Sequence, residues 1–118
     1  MKPIKLIFDF DKYYYFNFIK ETIAKEENKL NIAENDIENF NYIFSINIYD
    51  KDYNRYCFKF FNDKNNQIFC KVIIIEDGDS YLDKKSKLYY VENNNFYILI
   101  NFLFLHKFSY ISSEDFSR

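Results

Sequence analysis

Carboxylates recur at a spacing of two along this chain: Asp9 and Asp11, Asp50 and Asp52, and the run Glu76, Asp77 and Asp79. Side chains two apart on an extended backbone point the same way. Each pair therefore has the geometry to hold a hard cation such as Mg²⁺ or Mn²⁺. The same residues serve as well for ending strands, capping helices and forming turns, where Asp is favoured in any case. No calcium loop is encoded, because neither the glycine nor the closing glutamate falls at the required position. The commoner outcome is solvated turns, and we expect no cofactor.

A thiol nucleophile with its base would have to come from Cys57, Cys70 and His106. Alternation places Cys57 opposite Phe58, while Cys70 shares a face with Val72 and Ile74 and reads as a small core residue. The single histidine, His106, ends an apolar run with no oxyanion element in view. We expect no catalytic residue, no disulfide and no structural zinc site. Nucleic acid is an unfavoured partner. Aromatic residues do interleave with lysines in Phe58-Lys59-Phe60 and Phe69-Cys70-Lys71, as stacking platforms require. A net charge of −2 and two arginines, Arg55 and Arg118, leave little counterion release to drive such binding.

The one glycine, Gly78, is the firmest exclusion. P-loops, dinucleotide fingerprints, hydrolase elbows and kinase signatures each need several. Phe, Tyr, Met, Ile, Asn and Lys, the residues that AT-rich codons supply, make up well over half of the chain. An aromatic content of 23% follows from that bias and needs no functional cause. With 48% apolar and 29% charged residues the chain should fold, as one domain over residues 1–118 whose last few residues are loose. The apolar start is broken at Asp9, so no secretion signal is expected. The strongest apolar run, 96–105, is half the roughly 20 residues of a membrane span. The expectation is a soluble cytosolic protein with reduced thiols and no membrane partner.

Period-two alternation over residues 4–10 predicts a strand. Asp11 is a candidate N-cap for a helix to about Leu30, on which Phe16, Ile19, Ile23 and Leu30 share a face and Glu21 and Lys25 pair four apart. The bulky Tyr13-Tyr14-Tyr15 run weakens the start of that helix. A second, short helix over residues 33–40 follows from Asn31-Ile32-Ala33-Glu34 and the face Ala33, Ile37, Phe40. Strands are then expected at 42–49, 55–61 and 68–75, with an Asp77-Gly78 turn and a polar connection over 80–87. A short strand at 88–91 and a long final strand from Phe96 to about Phe108 complete the reading; Ser112 to Asp115 would cap a last turn. This order predicts an α+β fold: an antiparallel meander of about five to six strands with one or two N-terminal helices on one face. The other face would carry Ser45, Asn47, Tyr49, Cys57 and Lys59.

Small acidic proteins without a catalytic set commonly act by occupying a partner's surface, as an immunity protein or a phage-encoded inhibitor of a defence nuclease does. The expected contact residues are Tyr49, Asp50, Asp52, Asp63, Glu76, Asp77 and Asp79, carboxylates suited to a basic cleft around a tyrosine anchor. Two alternatives remain: a divalent-metal enzyme built on the paired carboxylates, and a single-strand binder using Tyr49, Lys59 and Lys71 on one sheet face. The abundance of Phe and Tyr also predicts an exposed apolar patch and a homodimer or hetero-complex.

Overall fold

Four consecutive strands joined by polar connections give the chain its centre. In the computed structural model, residues 6–31, 37, 39–80, 82, 84–106 and 112–113 are described. The elements are β1 (Leu6–Asp9), α1 (Phe16–Ile23), a 3-10 turn (Glu26–Asn28), β2 (Lys29–Leu30), β3 (Asn41–Tyr49), β4 (Arg55–Asn62), β5 (Ile68–Ile75), β6 (Lys85–Val91), α2 (Asn93–His106) and β7 (Ser112–Ser113). The sheet order is β2-β6-β5-β4-β3-β1-β7.

Strands β3 to β6 form the expected antiparallel meander. The sheet as a whole is mixed, because β1 pairs with β3 in parallel, Phe8 facing Ile46. A parallel neighbour needs a crossover of a dozen or more residues, and the segment through α1 supplies one. The expected all-antiparallel sheet fails on that connection alone.

Both helices cover one face, and their positions differ from the expectation. The N-terminal helix is short, Phe16–Ile23, with Phe16, Ile19 and Ile23 buried. Asp11 does not cap it; the cap position is Tyr15, with no side-chain hydrogen bond. Lys25 lies beyond its end, so the Glu21–Lys25 pair does not form on one helix, and Leu30 belongs to β2. The second expected helix, 33–40, lies mostly outside the described residues. The expected final strand is instead α2, fourteen residues from Asn93 to His106. Residues 85–87 of the expected connection belong to β6. Ser112–Ser113 pairs with β1 rather than capping a helix, and Glu114 and Asp115 lie outside the described residues.

The core lies between that helical layer and the sheet. Phe44, Ile46 and Ile48 of β3, Phe58 and Phe60 of β4, and Cys70 and Val72 of β5 meet Ile19 and Ile23 of α1 and Leu99 and Leu103 of α2. Each such side chain removed from water contributes about 1.5–3 kcal/mol. Phe96 seals α2 onto the sheet, its ring 5.9 Å from Phe44 and 5.8 Å from Phe60. Cys57 pairs with Ile73 and Cys70 with Phe60, which puts the two thiols on opposite faces, both unbridged. Gly78 has φ +88° in the β5–β6 turn, the left-handed conformation that glycine accepts without strain. No helix among the described residues is long and apolar enough to cross a membrane.

Candidate functional site

The β3–β4 and β4–β5 turns are two versions of one design. Asp50-Lys51-Asp52-Tyr53-Asn54 and Asp63-Lys64-Asn65-Asn66-Gln67 match in chemistry at nearly every position. In each, the leading Asp accepts backbone N–H bonds two and four residues on: Asp52 and Asn54 donate to Asp50 Oδ1 at 2.9 and 3.0 Å. Asn65 and Gln67 donate to Asp63 Oδ1 at 2.9 and 3.0 Å. In each, the fourth residue is left-handed, with φ 65° at Tyr53 and 62° at Asn66. Asn tolerates that conformation; a bulky aromatic residue does not, and it costs of order 1 kcal/mol. Tyr53 is nonetheless held there with its side chain 69% exposed. Packing does not explain it.

More tyrosines gather at the same end of the molecule. The loop before α1 carries Tyr13 and Tyr14, 51% and 70% exposed, with ring centroids 5.2 Å apart. That loop and the β3–β4 turn form the two walls of a hollow of about 350 Å³, lined by Tyr13, Tyr14, Phe16 and Asn17 on one side and Asp50, Lys51 and Asp52 on the other. The β5–β6 turn adjoins through the Asp77 backbone N–H, which donates to Asn54 Oδ1 at 2.8 Å. Asp52, Asp77 and Asp79 are therefore exposed on neighbouring turns. Charge there is mixed, because Lys85 pairs with Glu76 at 2.7 Å and Lys51 and Arg55 stand among the acids.

The expected contact residues thus separate. Asp52, Asp77 and Asp79 meet at one end. Asp50 is there too, but its carboxylate is engaged in its own turn, Oδ2 also accepting from Asn54 Nδ2 at 2.9 Å. Glu76 is engaged by Lys85. Asp63 is in the turn at the opposite end of the meander, since β4 and β5 run the length of the sheet between them. Tyr49 is only 39% exposed and points to the sheet face away from the helices, in register with Arg55. Sequence reading missed Tyr13, Tyr14 and Tyr53. The available signal was a run of three tyrosines where the helix needs only Phe16, Ile19 and Ile23 inward, and a Tyr where the sister turn has Asn.

The sheet's other face forms an open groove of about 850 Å³. Asn47 Nδ2 donates to Asp9 Oδ1 at 2.9 Å, and the Tyr42 hydroxyl lies 2.9 Å from Ser45 Oγ and donates to the Leu6 carbonyl at 2.7 Å. Lys59 and Lys71 are direct cross-strand partners, a like-charge pairing that weakens a sheet. Burial raises the Cys57 thiol pKa against the opposing pull of Lys59, so this thiol is not activated. Asp9 and Asp11 line this groove while Glu76, Asp77 and Asp79 do not. Among the described residues no three His, Cys, Asp or Glu side chains group closely enough to hold a metal ion. His106, at the end of α2, contacts Tyr15, with its Nδ1 3.3 Å from the hydroxyl, and is not among the residues that line the groove holding Cys57. No protein-family model, curated protein or solved structure matches the chain.

Proposed function

We propose that this chain is a non-catalytic binding protein whose tyrosine-and-carboxylate end docks on a protein partner and neutralises it by covering its surface, as an immunity protein or an inhibitor of a nuclease would. The observation that carries this reading is Tyr53, an exposed aromatic residue held in a strained conformation where the sister turn uses Asn66. Strain kept at an exposed position is a mark of function. Tyrosine brings large, rigid contact area at low entropic cost and is enriched among binding hot spots. Asp52, Asp77 and Asp79 suit cationic groups on the partner. Their charge is diluted by Lys51 and Arg55, so the tyrosines carry the affinity and the acids orient the encounter. The test is capture of partners on immobilised protein, wild type against Tyr14→Ala/Tyr53→Ala. A protein retained by the first and lost from the second, with its activity reduced in the complex, is the expected result. Turnover of a nucleotide or nucleic acid by the pure protein with Mg²⁺ or Mn²⁺ would sink the reading in favour of a carboxylate enzyme.

One observation favours a second reading. Tyr49, Lys59 and Lys71 share the open sheet face, the arrangement that a single-stranded nucleic acid would use for stacking and phosphate contact. Anisotropy of a labelled oligonucleotide that rises with wild type and not with Lys59→Glu would favour it.

A further inference from the structure

The outward side of α2 carries much hydrocarbon and no charge. From Asn93 to Leu105 the helix has no acidic or basic residue. Leu99 and Leu103 are buried against the core, while Tyr97, Ile98, Phe104 and Leu105 are 64%, 48%, 66% and 75% exposed. Asn101, also exposed, stands among them. A contiguous apolar surface of this kind marks a docking site.

The spacing within this surface identifies its occupant. Tyr97 and Phe104 lie seven apart along one side of the stripe, and Ile98 and Leu105 seven apart along the other. Both pairs are centred within half a residue of Asn101. A copy of the helix laid antiparallel, with the two-fold axis at Asn101, reverses position along the helix and keeps the side. Tyr97 then meets Phe104 of the second copy, and Ile98 meets its Leu105, twice over by symmetry. Asn101 meets itself, and an amide both donates and accepts, so the pair is self-satisfying. A single Asn in an apolar seam fixes register. Opposed helix dipoles and the lack of charge leave nothing to repel the copies. The four apolar side chains offer on the order of 500 Å² per copy, or roughly 1,000 Å² in total, the lower bound for a specific interface. A dissimilar partner would require no such symmetry.

We propose that α2 is a homodimer interface in which two copies of the chain pair antiparallel about a two-fold axis at Asn101. Sedimentation of the full chain at micromolar concentration should give twice the 14.6 kDa chain mass. Phe104→Glu, and Asn101→Lys with its two ammonium groups at the axis, should each return the single-chain mass with an unchanged circular dichroism spectrum. In a Cys57→Ser background, Asn101→Cys should form a disulfide-linked dimer on mild oxidation. Tyr97→Cys should not, because its two copies are about 12 Å apart along the helices. A chain that stays single at every concentration, a dimer that survives both charged variants, or cross-linking at position 97 in place of 101 would overturn the proposal.

Discussion

Tyr53 and Asn66 occupy equivalent positions in two turns of one design, yet only one of them suits its backbone. A left-handed Tyr costs of order 1 kcal/mol that Asn avoids, and the Tyr53 side chain, 69% exposed, recovers little of it by packing. Tyr53→Asn should therefore raise stability by about 0.5–1 kcal/mol in urea unfolding while weakening partner binding, the pattern of a residue kept for function. A variant that is less stable than wild type would show that packing holds Tyr53 after all. Tyr89 belongs to a different kind of residue, one whose setting is structural. Its hydroxyl donates to Glu26 Oε2 at 3.2 Å, and burial first, then the Glu26 charge, push its pKa to about 12. The unfolded chain releases that proton near 10.0, so the folded state holds it more tightly. The stabilising contribution is whole below the unfolded value and is lost as pH rises through the folded one. Thermal melts of wild type should fall between pH 10 and about 12, and Tyr89→Phe should flatten that fall. An identical slope in the variant would assign the alkaline loss to other groups.

Elements were legible where the apolar pattern had a period. Phe44, Ile46 and Ile48 alternate with Ser45, Asn47 and Tyr49, and β3 follows that phase to the helical layer and the open face. The turns were legible too, because Asp, Asn and Gly have a local reason to be in them. The segment from Phe96 to Leu105 was not. It is apolar all round, and periodicity cannot separate a covered strand from a helix in that case. Its length was the better guide, since a fourteen-residue element exceeds an ordinary strand. The helix is apolar on its outer side as well, where Tyr97, Ile98, Phe104 and Leu105 are exposed, and this is what erased the amphipathic signal. The candidate site was half legible for a related reason: sequence shows which turns carry acids but not which ends of the sheet they share. Leu99 tests the corrected element. It is fully buried on the inner side of α2, so Leu99→Ala should cost about 2–5 kcal/mol in denaturant unfolding. A cost under 1 kcal/mol would mean that α2 does not seal the core.

At the scale of the whole molecule, the two ends of the meander are built alike and charged unequally. One end holds Asp52, Asp77 and Asp79 beside exposed tyrosines; the other holds the turn of Asp63. This pairing provides an internal control for the docking proposal. Asp50 and Asp63 each accept two backbone N–H bonds within their own turns, so replacing either by Ala should lower stability by about 1–2 kcal/mol through loss of the turn. Only Asp50→Ala should also weaken binding, because its turn carries Tyr53. The exposed acids should behave differently. Their interactions are screened within about 8 Å at physiological salt, so Asp52→Asn and Asp77→Asn/Asp79→Asn should slow association a few-fold and leave both dissociation and folding unchanged. Tyr14→Ala and Tyr53→Ala remove buried contact from the complex, and those variants should dissociate ten-fold or more faster at an unchanged association rate, a loss of about 1.4 kcal/mol or more each. Surface-captured partner and stopped-flow mixing at two salt concentrations separate these rates. If Asp63→Ala weakened binding as much as Asp50→Ala, or if added salt left association unaffected while the tyrosine variants dissociated like wild type, the docking surface would have to lie elsewhere, and the groove lined by Lys59 would be the next place to look.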